Sequence, residues 1–189
     1  MSKQQNRYFA VTTPGFEKVC AAELVALGLP DAEILFGGVE FSGGLHELYQ
    51  ANLWLRSATR ILVRVGEFQA RDFPTLFQRL QRLPWGRFIK PGSSCDIRVT
   101  CRSSRLSHSG RVAQTCREAI VKALGAEEGT VAATTVSLRL NNDRCEVSID
   151  SSGELLHRRG YRAANVAAPL RENLAAACLL ALGYDGSKP

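Results

Sequence analysis

The sequence predicts an α+β fold with two modules and a separate helix near the C-terminus. Three observations lead to this class: short apolar β-type stretches alternate with segments of helical periodicity, Gly- and Pro-rich turns separate them, and one alanine- and leucine-rich helix follows the last strand. The 189 residues suffice for one large or two small domains, and a hydrophobic share of 45% supports an ordinary core. The predicted ranges are 1–66 for the first module, 67–165 for the second and 166–189 for the linker helix.

The first module has the element order β-α-β-β-α-β. Pro14 and Gly15 end the first strand and suit the start of a helix, and Gly37-Gly38 is a hairpin turn between two short strands. The predicted elements are a strand at 8–12, a helix at 16–27, a hairpin at 34–41, a helix at 45–57 and a strand at 61–65. This order is the ferredoxin-like arrangement, a small sheet with both helices on one face.

The second module is also predicted to mix helices and strands, without repeating the first. Its predicted elements are a helix at 73–80, a strand at 95–99, a helix that ends at 124 and a hairpin at 136–149. The stretch from Ser107 to Ser109 offers N-cap oxygens for the second of these helices. We expect Trp54 and Trp85 to pack in the core or between domains. The apolar helix at 170–182 is unsuited to a free tail, so it is expected to pack on the chain or on a missing partner domain.

Composition and motifs exclude several classes of function. The six cysteines form no CxxC pair and the three histidines lie far apart, so no metal site is expected and the thiols are expected to be buried and reduced. No stretch supplies a P-loop, a GxGxxG loop, a GxSxG elbow or an HExxH helix, and no self-contained catalytic site is therefore predicted. Because the chain lacks a long apolar run and an apolar leader, we expect a soluble, cytoplasmic protein without a membrane partner.

The distribution of arginines gives a first candidate site. The net charge of +6 favours a polyanionic partner only weakly, but no Asp lies between Arg98 and Arg117 and no Glu does either. This region joins a strand to a helix N-terminus, where free backbone N–H groups attract anions, and guanidinium groups match phosphate oxygens in pairs. A solvated, solubilising loop explains the segment equally well. The candidate RNA-binding residues here are Arg102, Ser104, Arg105, Ser107, His108, Ser109, Arg111 and Arg117.

A second candidate segment follows the last predicted hairpin. It contains Arg158, Arg159 and Arg162 around Tyr161. The tyrosine ring could stack on an unpaired base while the arginines hold the nucleic-acid backbone. For Tyr161 itself, packing of the ring in the core is the favoured alternative.

Several motifs carry a resemblance to a known family. Residues 37–41 (Gly-Gly-Val-Glu-Phe), 49–54 (Tyr-Gln-Ala-Asn-Leu-Trp) and 60–62 (Arg-Ile-Leu) resemble the N-terminal region of bacterial large-subunit (23S) rRNA guanine-N2 methyltransferases. Residues 156–162 (Leu-His-Arg-Arg-Gly-Tyr-Arg) and 168–177 (Ala-Pro-Leu-Arg-Glu-Asn-Leu-Ala-Ala-Ala) look like the exit of the family's THUMP domain and the helix that leads into its catalytic domain.

The resemblance implies a ferredoxin-like domain followed by a THUMP domain, which together capture structured rRNA. In that family a Rossmann-like domain follows and binds S-adenosylmethionine. Its cofactor loop has no counterpart before Pro189, so we expect this chain to bind RNA without methylating it and to hold no cofactor itself. Two alternatives stay open: a THUMP module of a tRNA-modifying enzyme, and a stand-alone basic module that binds an acidic protein.

Overall fold

The computed structural model describes residues 5–125, 129, 131–160 and 169–184, with the backbone alone for 131–133. The described chain is a mixed α/β structure with seven strands. It divides into two compact units. Unit 1 contains the described part of 1–63 and of 151–189, and unit 2 contains that of 64–150.

Unit 1 has the element order predicted for the first module. Its elements are β1 (Asn6–Thr12), α1 (Glu17–Ala26), β2 (Glu33–Leu35), β3 (Gly38–Gly43), α2 (Leu45–Trp54), the beginning of β4 (Ala58–Gln69) and, after residue 150, α5 (Glu172–Ala181). The strand order is β2-β3-β1-β4. β1 is antiparallel to both of its neighbours, and β2 is antiparallel to β3, as in a ferredoxin-like sheet.

The β2–β3 hairpin depends on its two glycines for different reasons. Gly37 has a φ of +82°, a left-handed conformation that glycine adopts without steric cost. Gly38 packs against β1, because a Cβ atom on it would lie 2.3 Å from the carbonyl oxygen of Ala10. The sequence pattern therefore encodes a turn at the first glycine and a close backbone approach at the second.

The described segments 151–160 and 169–184 belong to unit 1. The Ser151 N–H donates to the Ile61 carbonyl oxygen at 3.0 Å, and the Leu156 N–H donates to the Thr59 carbonyl oxygen at 3.0 Å. Helix α5 contacts α1, and Ala177 of α5 is buried. The expectation that the apolar helix packs on the rest of the chain is thus met for one of its faces. The second compact unit ends at residue 150, whereas the predicted range of the second module ends at 165.

Unit 2 places two helices on one face of a sheet. Its elements are the end of β4, α3 (Phe73–Gln81), a 3-10 turn (Trp85–Arg87), β5 (Ser93–Arg102), α4 (Ser109–Leu124), β6 (Val131–Asn141) and β7 (Arg144–Asp150). The strand order is β4-β7-β6-β5, with β5 parallel to β6 and β6 antiparallel to β7. The predicted alternation is confirmed, because Val136, Leu138 and Leu140 are buried on the helix side together with Cys145 and Val147.

Two expectations about particular residues need correction. Trp85 is buried and donates from Nε1 to the Leu80 carbonyl oxygen at 2.7 Å, as expected of a core tryptophan. Trp54 is 64% exposed, because α2 ends there and turns its last apolar residues away from the core. The N-cap of α4 is His108 and neither neighbouring serine, since its Nδ1 accepts a hydrogen bond from the Arg111 N–H at 3.2 Å.

Candidate nucleic-acid interface

The turn between β5 and α4 is fixed by hydrogen bonds to the β6–β7 turn. Ser104 Oγ donates to the Arg102 carbonyl oxygen at 2.9 Å and accepts from the Asp143 N–H at 3.0 Å. Asp143 Oδ1 in return accepts from the Arg105 N–H at 2.7 Å. Leu106 is buried beneath the turn. These contacts fix the conformation of the loop, for which the sequence also allowed a solvated, solubilising role.

Arg102 and Arg105 extend from this loop into solvent. Both residues are exposed, and within the described ranges neither guanidinium forms an ion pair or a hydrogen bond. By contrast, Arg98 on the same strand pairs with Asp96, with 2.9 Å between Nη2 and Oδ2. Two unpaired cations on a rigid loop are suited to bind an external anion, because no intramolecular contact must break first.

At the N-terminus of α4, one backbone N–H group that the sequence suggested was free already has a side-chain partner. His108 Nδ1 takes up one of the free N–H groups of the first turn, which requires the neutral imidazole tautomer with its proton on Nε2. Ser107 and Ser109 are exposed beside it. The Arg111 guanidinium lies over the Phe73 ring, 4.2 Å from its centroid, in a cation–π contact that orients the side chain.

Arg117 has a role inside unit 2. Its side chain is half-buried, and Nη1 donates to the Cys95 carbonyl oxygen at 3.3 Å. This bond connects α4 to the first residues of β5. The sequence placed Arg117 in the same candidate set as Arg102, but only the latter projects from the loop.

Two arginines of the second candidate segment form contacts within unit 1. Arg159 donates three hydrogen bonds to main-chain carbonyl oxygens at the end of α2: to Leu53 at 2.6 Å, and to Asn52 and Leu55 at 3.0 Å each. These carbonyls carry the partial negative charge of a helix C-terminus, so the cation satisfies them. Arg158 pairs with Glu154 across 3.7 Å at the surface.

The second candidate segment also includes a tyrosine and a further arginine. Tyr161 and Arg162 lie outside the described residues.

One residue of the sheet was missed by the sequence analysis. Arg139 lies on β6 between Leu138 and Leu140, which are both buried, so its side chain is on the face opposite the helices. The alternation of the strand was the signal that could have identified it. The sheet brings Arg139 next to Thr100 of β5, two residues before Arg102.

The close-packed glycines and the groove of unit 1 do not fit S-adenosylmethionine. Gly38 and Gly43, the tightest glycines of unit 1, are packed by Phe9 and by the Glu47 side chain, so neither forms a cradle for a cofactor. A groove of about 540 Å³ in unit 1 contains one carboxylate, that of Glu23, which already accepts hydrogen bonds from the Ser57 N–H at 2.9 Å and from Arg56 Nε at 3.0 Å. No carboxylate is therefore available there for ribose hydroxyl groups.

Metal and membrane sites receive no support in the part of the chain that is described. No group of three or more His, Cys, Asp or Glu side chains in these ranges could hold a metal ion. Burial raises the pKa of the Cys20 and Cys145 thiols to about 12, so both remain protonated. None of the described helices is both long and apolar enough to cross a membrane.

Comparison with known proteins agrees with the ferredoxin-like fold of unit 1 and relates the chain to methyltransferases. Residues 7–62 match the family model of the RlmL ferredoxin-like domain. Over 94% of its length, the chain is similar to relatives named ribosomal RNA large subunit methyltransferase K/L.

Particular relatives make the similarity concrete. The chain is 35% identical to the ribosomal RNA large subunit methyltransferase K/L of Syntrophotalea carbinolica, and the alignment covers 94% of this chain and 26% of the relative. For the enzyme of the same name in Methylococcus capsulatus, the identity is 34%, with 94% and 25% covered. The chain thus spans about a quarter of the length of these relatives.

Solved structures show the same fold. The structure of SMU.472 in complex with SAH has a TM-score of 0.89 and 33% identity, covering 100% of this chain and 52% of that one. A predicted N6-adenine-specific DNA methylase from Listeria monocytogenes has a TM-score of 0.87 and 31% identity, covering 94% and 48%. A 4-thiouridine synthetase–RNA complex, at 9% identity and a TM-score of 0.50, shares the fold alone.

Proposed function

We propose that this chain is the RNA-recognition part of an S-adenosylmethionine-dependent rRNA guanine-N2 methyltransferase. Residues 67–165 act as its THUMP domain, and residues 1–66 act as a ferredoxin-like domain that orients the bound RNA. Residues 166–189 link these domains to the part that performs catalysis. The partner is structured RNA of the large ribosomal subunit, and the compartment is the cytoplasm.

The observation that carries the proposal is the pair of unpaired guanidinium groups on a rigid loop. Arg102 and Arg105 leave the β5–α4 turn without a carboxylate partner within the described ranges, and Asp143 fixes the backbone beneath them. Each phosphate contact made by such a group releases condensed counterions, which provides sequence-independent affinity. Arg111 extends the basic surface at the start of α4 and is oriented by Phe73.

The comparisons support the choice of RNA and of methyl transfer. The K/L relatives are named for ribosomal RNA, and SMU.472 was solved with SAH. Because these glycines and this groove do not fit S-adenosylmethionine, we assign the cofactor to the part of the relatives that the alignments leave uncovered. The contribution of this chain is then to bind the RNA and to set its position.

The mechanism follows from where the cations lie. Backbone contacts fix the register of an RNA helix but do not distinguish bases, so the arginines of unit 2 would recognise shape and phosphate spacing. From the first candidate set, we assign RNA contacts to Arg102, Arg105 and Arg111. We assign Arg117 to the packing of unit 2, because it binds a main-chain carbonyl.

A salt-dependent binding measurement tests this proposal. The whole chain is titrated against fluorescent rRNA stem-loops and tRNA, and anisotropy is followed from low to moderate salt. The double variant Arg102→Glu/Arg105→Glu should lower the affinity for rRNA hairpins by more than about tenfold, since repulsion adds to each lost contact.

The matched control reverses two charges elsewhere in unit 2. Arg79 and Arg82 are exposed and form no ion pair in the described ranges, so Arg79→Glu/Arg82→Glu changes the net charge equally. Equal losses for the two double variants would show that only net charge matters, and would remove the loop from the site. A preference for tRNA would favour a tRNA-modifying enzyme, and no binding at low salt would favour a protein partner.

A further inference from the structure

The face of the unit 2 sheet opposite the helices is polar and carries no acidic side chain along its outer two strands near the β6–β7 turn. On β5 the outward residues are Asp96, Arg98, Thr100 and Arg102, with Asp96 at the end far from the turn, and on β6 they are Ser137, Arg139 and Asn141. The parallel register places Thr100 beside Arg139 and Arg102 beside Asn141. We call the surface formed by Thr100, Arg102, Arg139 and Asn141 the open-face patch.

Arg139 is the unusual member of the open-face patch. Its side chain is half-buried, yet its guanidinium has no hydrogen bond and no ion pair within the described residues. Its cross-strand neighbour on β7 is Glu146, whose Oε2 instead lies 3.4 Å from Nη1 of Arg64. A guanidinium has five N–H donors in a planar fork that matches phosphate oxygens in pairs, so Arg139 is suited to bind an external anion.

Other arginines of the same sheet are balanced by carboxylates. Arg144 is the β7 residue opposite Asn141, and its Nε lies 2.6 Å from Oε1 of Glu67. Arg98 is held by Asp96. Arg144 and Arg98 are thus neutralised, whereas Arg102 and Arg139 form no ion pair among the described residues, because Glu146, which lies opposite Arg139, is paired with Arg64.

We propose that an RNA phosphodiester backbone lies across the open-face patch, with Arg139 and Arg102 each binding a phosphate. The inference rests on the proposed RNA-binding function and extends it from the β5–α4 loop onto the sheet. The Thr100 hydroxyl and the Asn141 amide N–H groups donate neutral hydrogen bonds to neighbouring phosphate oxygens. Arg105 continues the surface, since its backbone is tied to Asp143 at the same end of the sheet.

The test is the salt dependence of RNA binding by the whole chain with Arg139→Gln. Loss of one phosphate contact lowers the slope of log affinity against log salt by about 0.7–0.9, and lowers affinity roughly five- to tenfold at about 0.1 M salt. Arg139→Lys keeps the charge and should keep the slope. This pair separates a phosphate contact from a packing role, which would affect both variants.

The control is Arg144→Gln, which removes the same charge from a residue that already has a carboxylate partner. It should change the slope by much less than Arg139→Gln. If the wild-type chain binds RNA and the two Gln variants behave alike, the open-face patch is not in the interface, while the proposed function stands. If the wild-type chain binds no RNA, the proposed function fails with it.

Discussion

The replacement of Arg159 by alanine tests whether this residue serves the fold of unit 1. The guanidinium donates to three carbonyl oxygens at the end of α2, and those oxygens have no helical partner of their own. In Arg159→Ala, water must take the place of the cation at this helix end. The interaction with the negative end of the helix dipole is lost as well.

The expected loss of stability is moderate because Arg159 is exposed. Hydrogen bonds that involve a charged group contribute about 1.5–3 kcal/mol each when buried, but solvent screening reduces this strongly at a surface. For the three bonds together we expect a decrease of about 1–2 kcal/mol in the free energy of unfolding. In a chain of this size, that corresponds to a decrease of about 2–8 °C in the melting temperature.

Thermal unfolding followed by circular dichroism measures the effect, with Arg158→Ala as the control. Arg158 is the neighbouring arginine, and its pair with Glu154 spans 3.7 Å between side chains that are 66% and 81% exposed. Such a pair contributes at most about 1 kcal/mol, and often nothing measurable. If Arg159→Ala had the melting temperature of the wild type but lost RNA affinity, the structural role of Arg159 would be refuted. Arg159 would then be an RNA contact.

Three further changes probe the fold and its ionisable groups. Gly38→Ala should destabilise unit 1 more than Gly37→Ala, because a Cβ atom on residue 38 would lie 2.3 Å from a carbonyl oxygen, whereas residue 37 has open space and costs only the strain of its left-handed φ of +82°, about 1–2 kcal/mol; urea unfolding of both variants checks this. Backbone N–H donors, its own and that of Gly37, lower the pKa of Glu17, so its contribution to stability is present at neutral pH and is lost as the pH falls below 4.5. The difference in urea midpoint between wild type and Glu17→Gln should therefore shrink at about pH 4, and a constant difference would contradict this. A thiol reagent should modify exposed Cys178 rapidly and Cys145 only on unfolding, since burial raises the Cys145 pKa to about 12.

Local sequence determined most elements of both units, although β4 extends to Gln69, beyond the predicted strand at 61–65. The alternation in β6 and β7 decides which side chains face the helices, because successive residues of a strand point to opposite sides. Gly37 and its neighbour predict a hairpin turn, and β2 and β3 on either side of it are paired antiparallel. The rigid loop at Arg105 was located correctly as a strand-to-helix connection. These features depend on neighbours within a few positions.

The tertiary structure alone decided which arginines are available. Arg159 and Leu53 are 106 residues apart in the chain, so no local sequence pattern predicts their hydrogen bond. The same applies to Arg139, because only the structure shows that Glu146, its cross-strand neighbour, is paired with Arg64. A long cationic side chain looks the same in sequence whether it caps a helix, joins a carboxylate or faces solvent. Its partner is set by packing, and the partner determines whether an RNA phosphate can bind.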